Sequence, residues 1–177
     1  MTDPTPVDRS YDRYGRLTVI LQKARDEAFA RSAFGEREDV VRQEFDELTR
    51  LIEQLAILDM CASFEGGFAE KLAGATDEAT KIVDQHYSLD YFIQLRERLV
   101  CSPKDYRTLG RICELLTNKE GLTQCVSASD LKDLRELVVI RNNIAHGKPP
   151  SEALGVTIEQ ARTLLNGVIK ELWIRPK

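Results

Sequence analysis

Three side chains near the end of one helical segment are the strongest candidates for chemistry: Arg141, Asn142 and His146. At about 100° per residue, Arg141 falls inside the apolar arc of this helix, beside Leu134, rather than at its edge. A guanidinium in that position needs an anionic partner, or the helix must face a cleft instead of a closed core. Gly147 ends the helix directly after His146, so the imidazole can turn toward the face of Arg141, or a second copy of the helix can bring two such pairs together.

The elements that position these residues are helical almost throughout. Apolar spacing predicts an all-α bundle of about five to seven helices with no sheet, because no segment alternates with a period of two. Residues 1–7 are predicted to form a disordered tail and residues 8–177 a single domain. A first helix is expected from about Asp8 to Ala33, with one side formed by Leu17, Ile20, Leu21, Ala24 and Ala28. A second begins near Arg37, and its apolar residues recur every seven positions at Val41, Leu48, Leu55 and Ala62, which is typical of a helix packed against other helices.

Punctuation residues divide the rest of the chain. Gly66 and Gly67 are expected to interrupt the second helix, with a kink or a close helix contact there. Thr76 is expected to cap a further helix that ends near Arg98. Short segments then follow: a helix from Pro103 to about Leu116, a helix from Ser127 or Ser129 to about Ala145, and a last helix that Thr157 and Gln160 cap reciprocally.

Composition excludes several classes of function. No apolar run approaches the roughly 18 residues that a membrane span requires, and the first residues lack a leader pattern, so we expect a cytoplasmic protein with no membrane partner. The four cysteines (Cys61, Cys101, Cys113, Cys125) form no paired motif, and with only two histidines they are expected to be small buried hydrophobes rather than zinc ligands. The chain also lacks a glycine-rich phosphate loop and the common hydrolase motifs, so no cofactor and no metal are expected.

Charge is distributed unevenly along the chain. The formal net charge is −4, but residues 1–80 hold 10 basic and 17 acidic side chains, whereas residues 81–177 hold 15 and 12. The stretch from Ile93 to Lys119 carries six basic and three acidic residues, which suits either a solvated helix face or a face for a phosphate backbone. Near the amino terminus, Tyr11 and Tyr14 lie among three arginines, a cluster that could stack on RNA or pack as a helix against its neighbours.

The segment RNNIAHG, from Arg141 to Gly147, resembles the motif of the HEPN superfamily, and in particular its RiboL-PSP or MAE-type branch. The hallmark of that superfamily is an arginine followed after four to six residues by a histidine, on and just past the last long helix of a helical bundle, often with a polar residue directly after the arginine. Arg141, His146 and Asn142 match these positions. The resemblance covers about Leu17 to Trp173 for the bundle and seven residues for the motif.

This resemblance implies a metal-independent endoribonuclease of toxin or phage-defence type. It also implies a homodimer in which the Arg141–His146 faces of two subunits share one cleft. Arg141 would hold the scissile phosphate, His146 would move the proton of the 2′-hydroxyl or of the leaving oxygen, and Asn142 would orient the imidazole or the phosphate. The expected products carry a 2′,3′-cyclic phosphate, and DNA, which lacks the 2′-hydroxyl, would not be cut. RNA and an antitoxin or regulatory protein are the expected partners.

Other interpretations of the same residues remain open. The chain could be a catalytically silent HEPN-like dimer that binds RNA or protein, as an antitoxin, an adaptor or a regulatory module, or a helical interaction protein in which the motif is accidental. Arg141 could simply pair with a buried carboxylate such as Asp59 or Glu65. His146 could interact with the negative end of the helix dipole, and Asn142 could cap the helix end.

Overall fold

The computed structural model describes residues 4–30, 37–86, 108–117, 126–147 and 156–173. Five helices account for nearly all of them, and these ranges contain no strand, which confirms the prediction of an all-α bundle. The helices are α1 (Pro6–Ala30), α2 (Glu38–His86), α3 (Leu109–Thr117), α4 (Ala128–Ala145) and α5 (Ile158–Trp173). None of them is long and apolar enough to cross a membrane.

The two longest helices form an antiparallel hairpin. The hydroxyls of Ser10 on α1 and Ser63 on α2 lie 2.8 Å apart, and further along the hairpin Arg25 pairs with Asp46 at 3.4 Å. Residue numbers therefore rise on one helix as they fall on the other. The hairpin is the scaffold against which the shorter helices pack.

The core lies on one side of the middle of α2, where α3, α4 and α5 all contact it. Buried apolar residues from every helix meet there, and burial of such side chains is the main stabilising term of a bundle. Those with essentially no exposed surface include Val7, Ile57, Met60, Cys61, Phe64, Leu109, Ile112, Leu116, Leu134, Leu137, Leu165 and Val168. The prediction of buried, unpaired cysteines is confirmed for Cys61 and Cys113, whereas Cys101 and Cys125 lie outside the described residues.

The start of α1 is fixed by a reciprocal cap that the sequence analysis did not identify. The backbone N–H of Asp8 donates to the Thr5 hydroxyl at 3.0 Å, and the N–H of Thr5 donates to the Asp8 carboxylate at 3.3 Å. Pro6 occupies the first helical position, which needs no backbone donor. The disordered tail was expected to extend to residue 7, yet α1 begins at Pro6 and Val7 is fully buried.

The same carboxylate ties α1 to α5. Arg162 and Asn166 both donate to Asp8, at 2.8 Å and 3.0 Å. Burial alone would raise the pKa of Asp8, but the hydrogen bonds from Arg162 and Thr5 lower it by more, so the pKa lies below its ordinary value. The Arg162 guanidinium also lies over the ring of Tyr11 at 4.3 Å. For Tyr11, helix packing is therefore the interpretation that the structure favours.

This network makes the free energy of unfolding depend on pH. Because the folded protein holds Asp8 at a lowered pKa, its contribution is complete above the unfolded pKa of about 3.9 and is lost as the pH falls through the folded value. We expect Asp8→Asn to lower the free energy of unfolding by about 1 kcal/mol at pH 7, and by progressively less as the pH falls through the lowered pKa of Asp8. Urea denaturation at both pH values measures this. Asp133→Asn, at an exposed position of α4, is the control, and equal losses for the two variants at pH 7 would contradict the prediction.

The predicted interruption of the second helix is wrong. α2 continues through Gly66, Gly67 and Gly74, and no helix starts at Thr76. Glycine weakens a helix by about 1 kcal/mol, but Phe64 and Phe68 on either side of the pair are buried in the core and hold the backbone helical. The expected close helix contact is present at Gly67, beside Pro6 at the start of α1, but an added Cβ would lie 3.6 Å from that side chain, an ordinary contact distance that does not require glycine. The residues from 87 to about Arg98 lie outside the described ranges.

Other helix ends follow the sequence more closely. Ser127 caps α4 by accepting from the N–H of Asp130 at 3.1 Å, as predicted. The reciprocal cap of α5 is confirmed: the N–H of Thr157 donates to Gln160 at 2.7 Å, and the N–H of Gln160 donates to the Thr157 hydroxyl at 3.1 Å. α3 begins at Leu109, and the expected start at Pro103 lies outside the described residues.

The apolar sides predicted for the first two helices only partly enter the core. Leu17 and Ile20 of α1, and Leu48 and Leu55 of α2, are exposed. Ala62, at the next heptad position of α2, is exposed as well. The packed face predicted from the heptad spacing is therefore not found: within the described part of the chain, nothing covers it along the outer half of the hairpin.

Candidate functional site

Helix α4 turns Arg141 toward the bundle. Leu134 and Leu137, earlier on the same side of the helix, are fully buried, and the Arg141 side chain retains 29% of its exposure. The guanidinium therefore lies at the rim of the core, where its stem packs inward and its head meets solvent. This is the position that the helical spacing indicated.

Glu65 of α2 is the anion that Arg141 meets. One Arg141 nitrogen, Nη2, lies 3.5 Å from Glu65 Oε1, and the Glu65 side chain is only 10% exposed. The same oxygen accepts the backbone N–H of Leu109, the first residue of α3, at 2.7 Å. One carboxylate thus joins three helices, and the N-terminal dipole of α3 adds to its stabilisation. Asp59, the other carboxylate considered for Arg141, instead pairs with Arg13 at 3.4 Å.

The environment of Glu65 explains why it needs these partners. It lies on α2 between Cys61 and Phe68, both buried in the core. A carboxylate taken out of water there is strongly destabilising unless it is paired and hydrogen-bonded. Burial, followed by the charge of Glu65, raises the pKa of the Cys61 thiol to about 12, while Arg141 acts in the opposite direction. The Cys61 thiol therefore remains protonated and is no nucleophile.

Asn142 contacts Arg141 directly. Its Oδ1 accepts a hydrogen bond from Arg141 Nη1 at 3.2 Å. The side chain therefore orients the guanidinium rather than capping the end of the helix. An arginine offers five N–H donors, so the contacts to Glu65 and Asn142 leave donors for a further anion.

His146 lies at the end of α4. The helix stops at Ala145, the N–H of His146 donates to the carbonyl of Asn142 at 3.0 Å, and the side chain is exposed. Gly147 follows with φ of 64°, a left-handed conformation that suits glycine and redirects the chain. The helix stop that the sequence indicated is therefore present.

The structure brings together two of the three predicted site residues. Arg141 and Asn142 form one hydrogen-bonded unit with Glu65, whereas no hydrogen bond among the described residues joins the His146 side chain to Arg141. Glu65 entered the sequence analysis only as an alternative partner of Arg141. The sequence does contain a signal for this wider role: the stretch from Ala56 to Phe68 is largely apolar, and Asp59 and Glu65 are its two acidic residues.

Other candidate sites are less developed in the described ranges. No three metal-ligating side chains cluster there. Of the basic stretch from Ile93 to Lys119, only residues 108–117 are described, and within them Arg111 pairs with Glu114 at 2.7 Å.

Comparisons with known proteins add no assignment. No protein-family model, no curated protein sequence and no solved structure matches this chain.

Proposed function

We propose that this protein is a metal-independent endoribonuclease of the HEPN type. The observation that carries the proposal is the arrangement at the end of α4: a guanidinium fixed at the rim of the core, and an exposed imidazole five residues further along, at the C-cap of the helix. A fixed fork of N–H donors suits a phosphate, and an imidazole can transfer a proton near neutral pH. These are the two functions that cleavage by a neighbouring 2′-hydroxyl requires.

In the proposed reaction, Arg141 holds the scissile phosphate by donors that Glu65 and Asn142 leave available. His146 removes the proton of the 2′-hydroxyl, whose oxygen attacks phosphorus. The bond from phosphorus to the 5′-oxygen then breaks, and that oxygen takes a proton from the partner subunit's His146. The products are a 2′,3′-cyclic phosphate and a 5′-hydroxyl. The proposal includes a homodimer through the Arg141–His146 face, because one subunit supplies only one imidazole to this site.

The exposure of His146 supports a shared cleft, since a side chain that meets solvent in one subunit is available to a second. RNA is the proposed substrate, with an antitoxin or regulatory protein as a further partner. The proposed setting is the cytoplasm, and the toxin or phage-defence role belongs to the same proposal.

The test is an assay of RNA cleavage in EDTA with pooled tRNA and mRNA. We expect fragments that end in 2′,3′-cyclic phosphate, and no cleavage of DNA of matched sequence, because DNA lacks the attacking hydroxyl. A single 2′-deoxy nucleotide at the cleaved position should block cleavage there. A folded protein that leaves all RNA intact, or one that cuts only with added metal, would overturn the proposal.

Two observations favour a second candidate, a catalytically silent HEPN-like dimer that binds RNA or protein. Glu65 already forms an ion pair with one nitrogen of the Arg141 guanidinium, and the net charge of −4 opposes binding of a polyanion. This candidate predicts a gel shift with RNA, or capture of a protein partner, without any cleavage product. An adaptor, an antitoxin or a regulatory module would behave in this way.

A further inference from the structure

The outer half of the α1–α2 hairpin carries an apolar stripe with no cover in the described chain. We define the outer stripe as five aliphatic residues that are each between 46% and 64% exposed: Leu17, Ile20, Leu48, Leu51 and Leu55. Single exposed aliphatic residues are common on protein surfaces, but a contiguous group marks a contact surface.

All five side chains project from the same side of the hairpin. On each helix they come one residue before a position that faces the other helix, as Ile20 precedes Leu21 and Leu51 precedes Ile52. In an antiparallel pair, positions that precede the contact residues lie on a common side. The ion pair between Arg13 and Asp59 shows this alignment directly, because each of these residues also comes one position before a residue that faces the other helix.

The stripe lies away from the helices that close the core. α3, α4 and α5 pack near Ile57, Phe64 and Phe68 of α2. These residues come one position after residues that face α1, whereas the residues of the outer stripe come one position before, so the two sets lie on opposite sides of the hairpin. The outer stripe is therefore separate from the surface that holds Arg141 and His146.

The charges beside the stripe indicate its occupant. On the α1 edge, Arg16 and Lys23 are exposed beside one acidic residue, Glu27, and on the α2 edge, Glu44 and Glu47 are exposed. Two hairpins packed stripe to stripe can be related by a two-fold axis that runs parallel to the helices, and then α1 of each copy lies on α2 of the other, so the basic edge meets the acidic edge. If the two-fold axis instead runs perpendicular to the helices, α1 lies on α1 and like charges meet. The surface is thus complementary to itself in one arrangement only, as a two-fold contact requires.

We propose that the outer stripe binds a second copy of this chain, with α1 of each subunit packed antiparallel on α2 of the other to form a four-helix interface. The heptad spacing of Leu48 and Leu55 suits such packing. Lys23 lies level with residues near Thr49 of its own hairpin, so in this arrangement it comes within about one helical turn of the partner's Glu47. This contact is independent of the proposed ribonuclease activity.

Sedimentation and light scattering of the full chain test this contact. We expect a wild-type mass of at least twice 20.1 kDa, and half the wild-type mass for Ile20→Glu and for Leu51→Glu. Val19→Glu is the matched control, because Val19 is 54% exposed on the other side of α1, and it should keep the wild-type mass. Circular dichroism checks that each variant keeps its helices. A wild type of 20.1 kDa, whether its stripe is covered by the chain's own remaining residues or by nothing, would overturn the proposal. So would stripe variants that retain the full mass.

A charge exchange tests the arrangement of the helices. Lys23→Glu alone should weaken association about fivefold or more, and adding Glu47→Lys should restore it. A double variant weaker than either single variant would overturn the packing of α1 on α2. The RNA cleavage assay reports on the other surface, so failure of the outer stripe and failure of the proposed function give different results.

Discussion

Replacement of His146 by alanine is expected to slow RNA cleavage by about 100-fold or more, since positioned acid and base groups contribute at least that factor. The effect should appear in the rate of the chemical step, because the imidazole is assigned to proton transfer and not to holding the phosphate. Single-turnover cleavage of labelled RNA by the folded variant measures it. The side chain is exposed, and its backbone contact at the end of α4 does not depend on the imidazole, so stability should change little.

Arg141→Lys distinguishes phosphate binding from a purely structural role. Lysine keeps a positive charge near Glu65 but loses the planar fork, so we expect weaker RNA binding and at least tenfold slower cleavage with the fold retained. Arg135→Lys, at an exposed position on the same helix, is the matched control and should cleave at the wild-type rate. Wild-type rates for both His146→Ala and Arg141→Lys would contradict the proposed roles of these residues.

Replacement of Glu65 by glutamine is expected to lower the free energy of unfolding by about 2 kcal/mol. Glutamine can still accept the N–H of Leu109, but the change removes the one carboxylate among the described residues that pairs with the half-buried Arg141 guanidinium. Leaving a charge without its partner costs about 3–5 kcal/mol when it is fully buried, and the 29% exposure of Arg141 reduces that figure. Thermal and urea denaturation measure the loss.

An added anion should recover part of this loss. In Glu65→Gln the guanidinium is free to bind inorganic phosphate, so phosphate should raise the Tm of this variant more than that of the wild type. Asp59→Asn breaks a surface ion pair with Arg13, where both side chains are more than one third exposed, and should cost at most about 0.5 kcal/mol. Equal losses for Glu65→Gln and Asp59→Asn would show that the Arg141–Glu65 contact contributes nothing special to the fold.

The Arg141–Glu65 contact also bears on regulation of the proposed site. An RNA phosphate must share or displace the carboxylate at the guanidinium, so Glu65→Gln should bind RNA more tightly than the wild type even though it is less stable. A variant that binds more tightly but is less stable is typical of a trade-off between stability and function at a binding site.

Much of the fold was predictable from local pattern. Apolar spacing identified helices and excluded strands, Ser127 and the Thr157–Gln160 pair marked two helix starts, and Gly147 marked a helix end, because each of these signals acts through neighbouring residues. The failure at Gly66 and Gly67 has a local cause too. The low helix propensity of these two glycines predicts an interruption, but burial of Phe64 and Phe68, which tertiary packing supplies, keeps the helix continuous.

The sequence by itself determined the helical class, the caps of α4 and α5, the place of Arg141 on the inward side of α4 and the end of that helix at His146. All of these depend on residues within a few turns of one another. Tertiary structure alone decided that Glu65, 76 positions before Arg141 in the chain, is its partner, and that Leu109 shares the same carboxylate oxygen. It also decided which apolar stripe of each long helix enters the core and which stays outside. Helical periodicity shows that a face is apolar, but only the packing of distant segments determines what covers it.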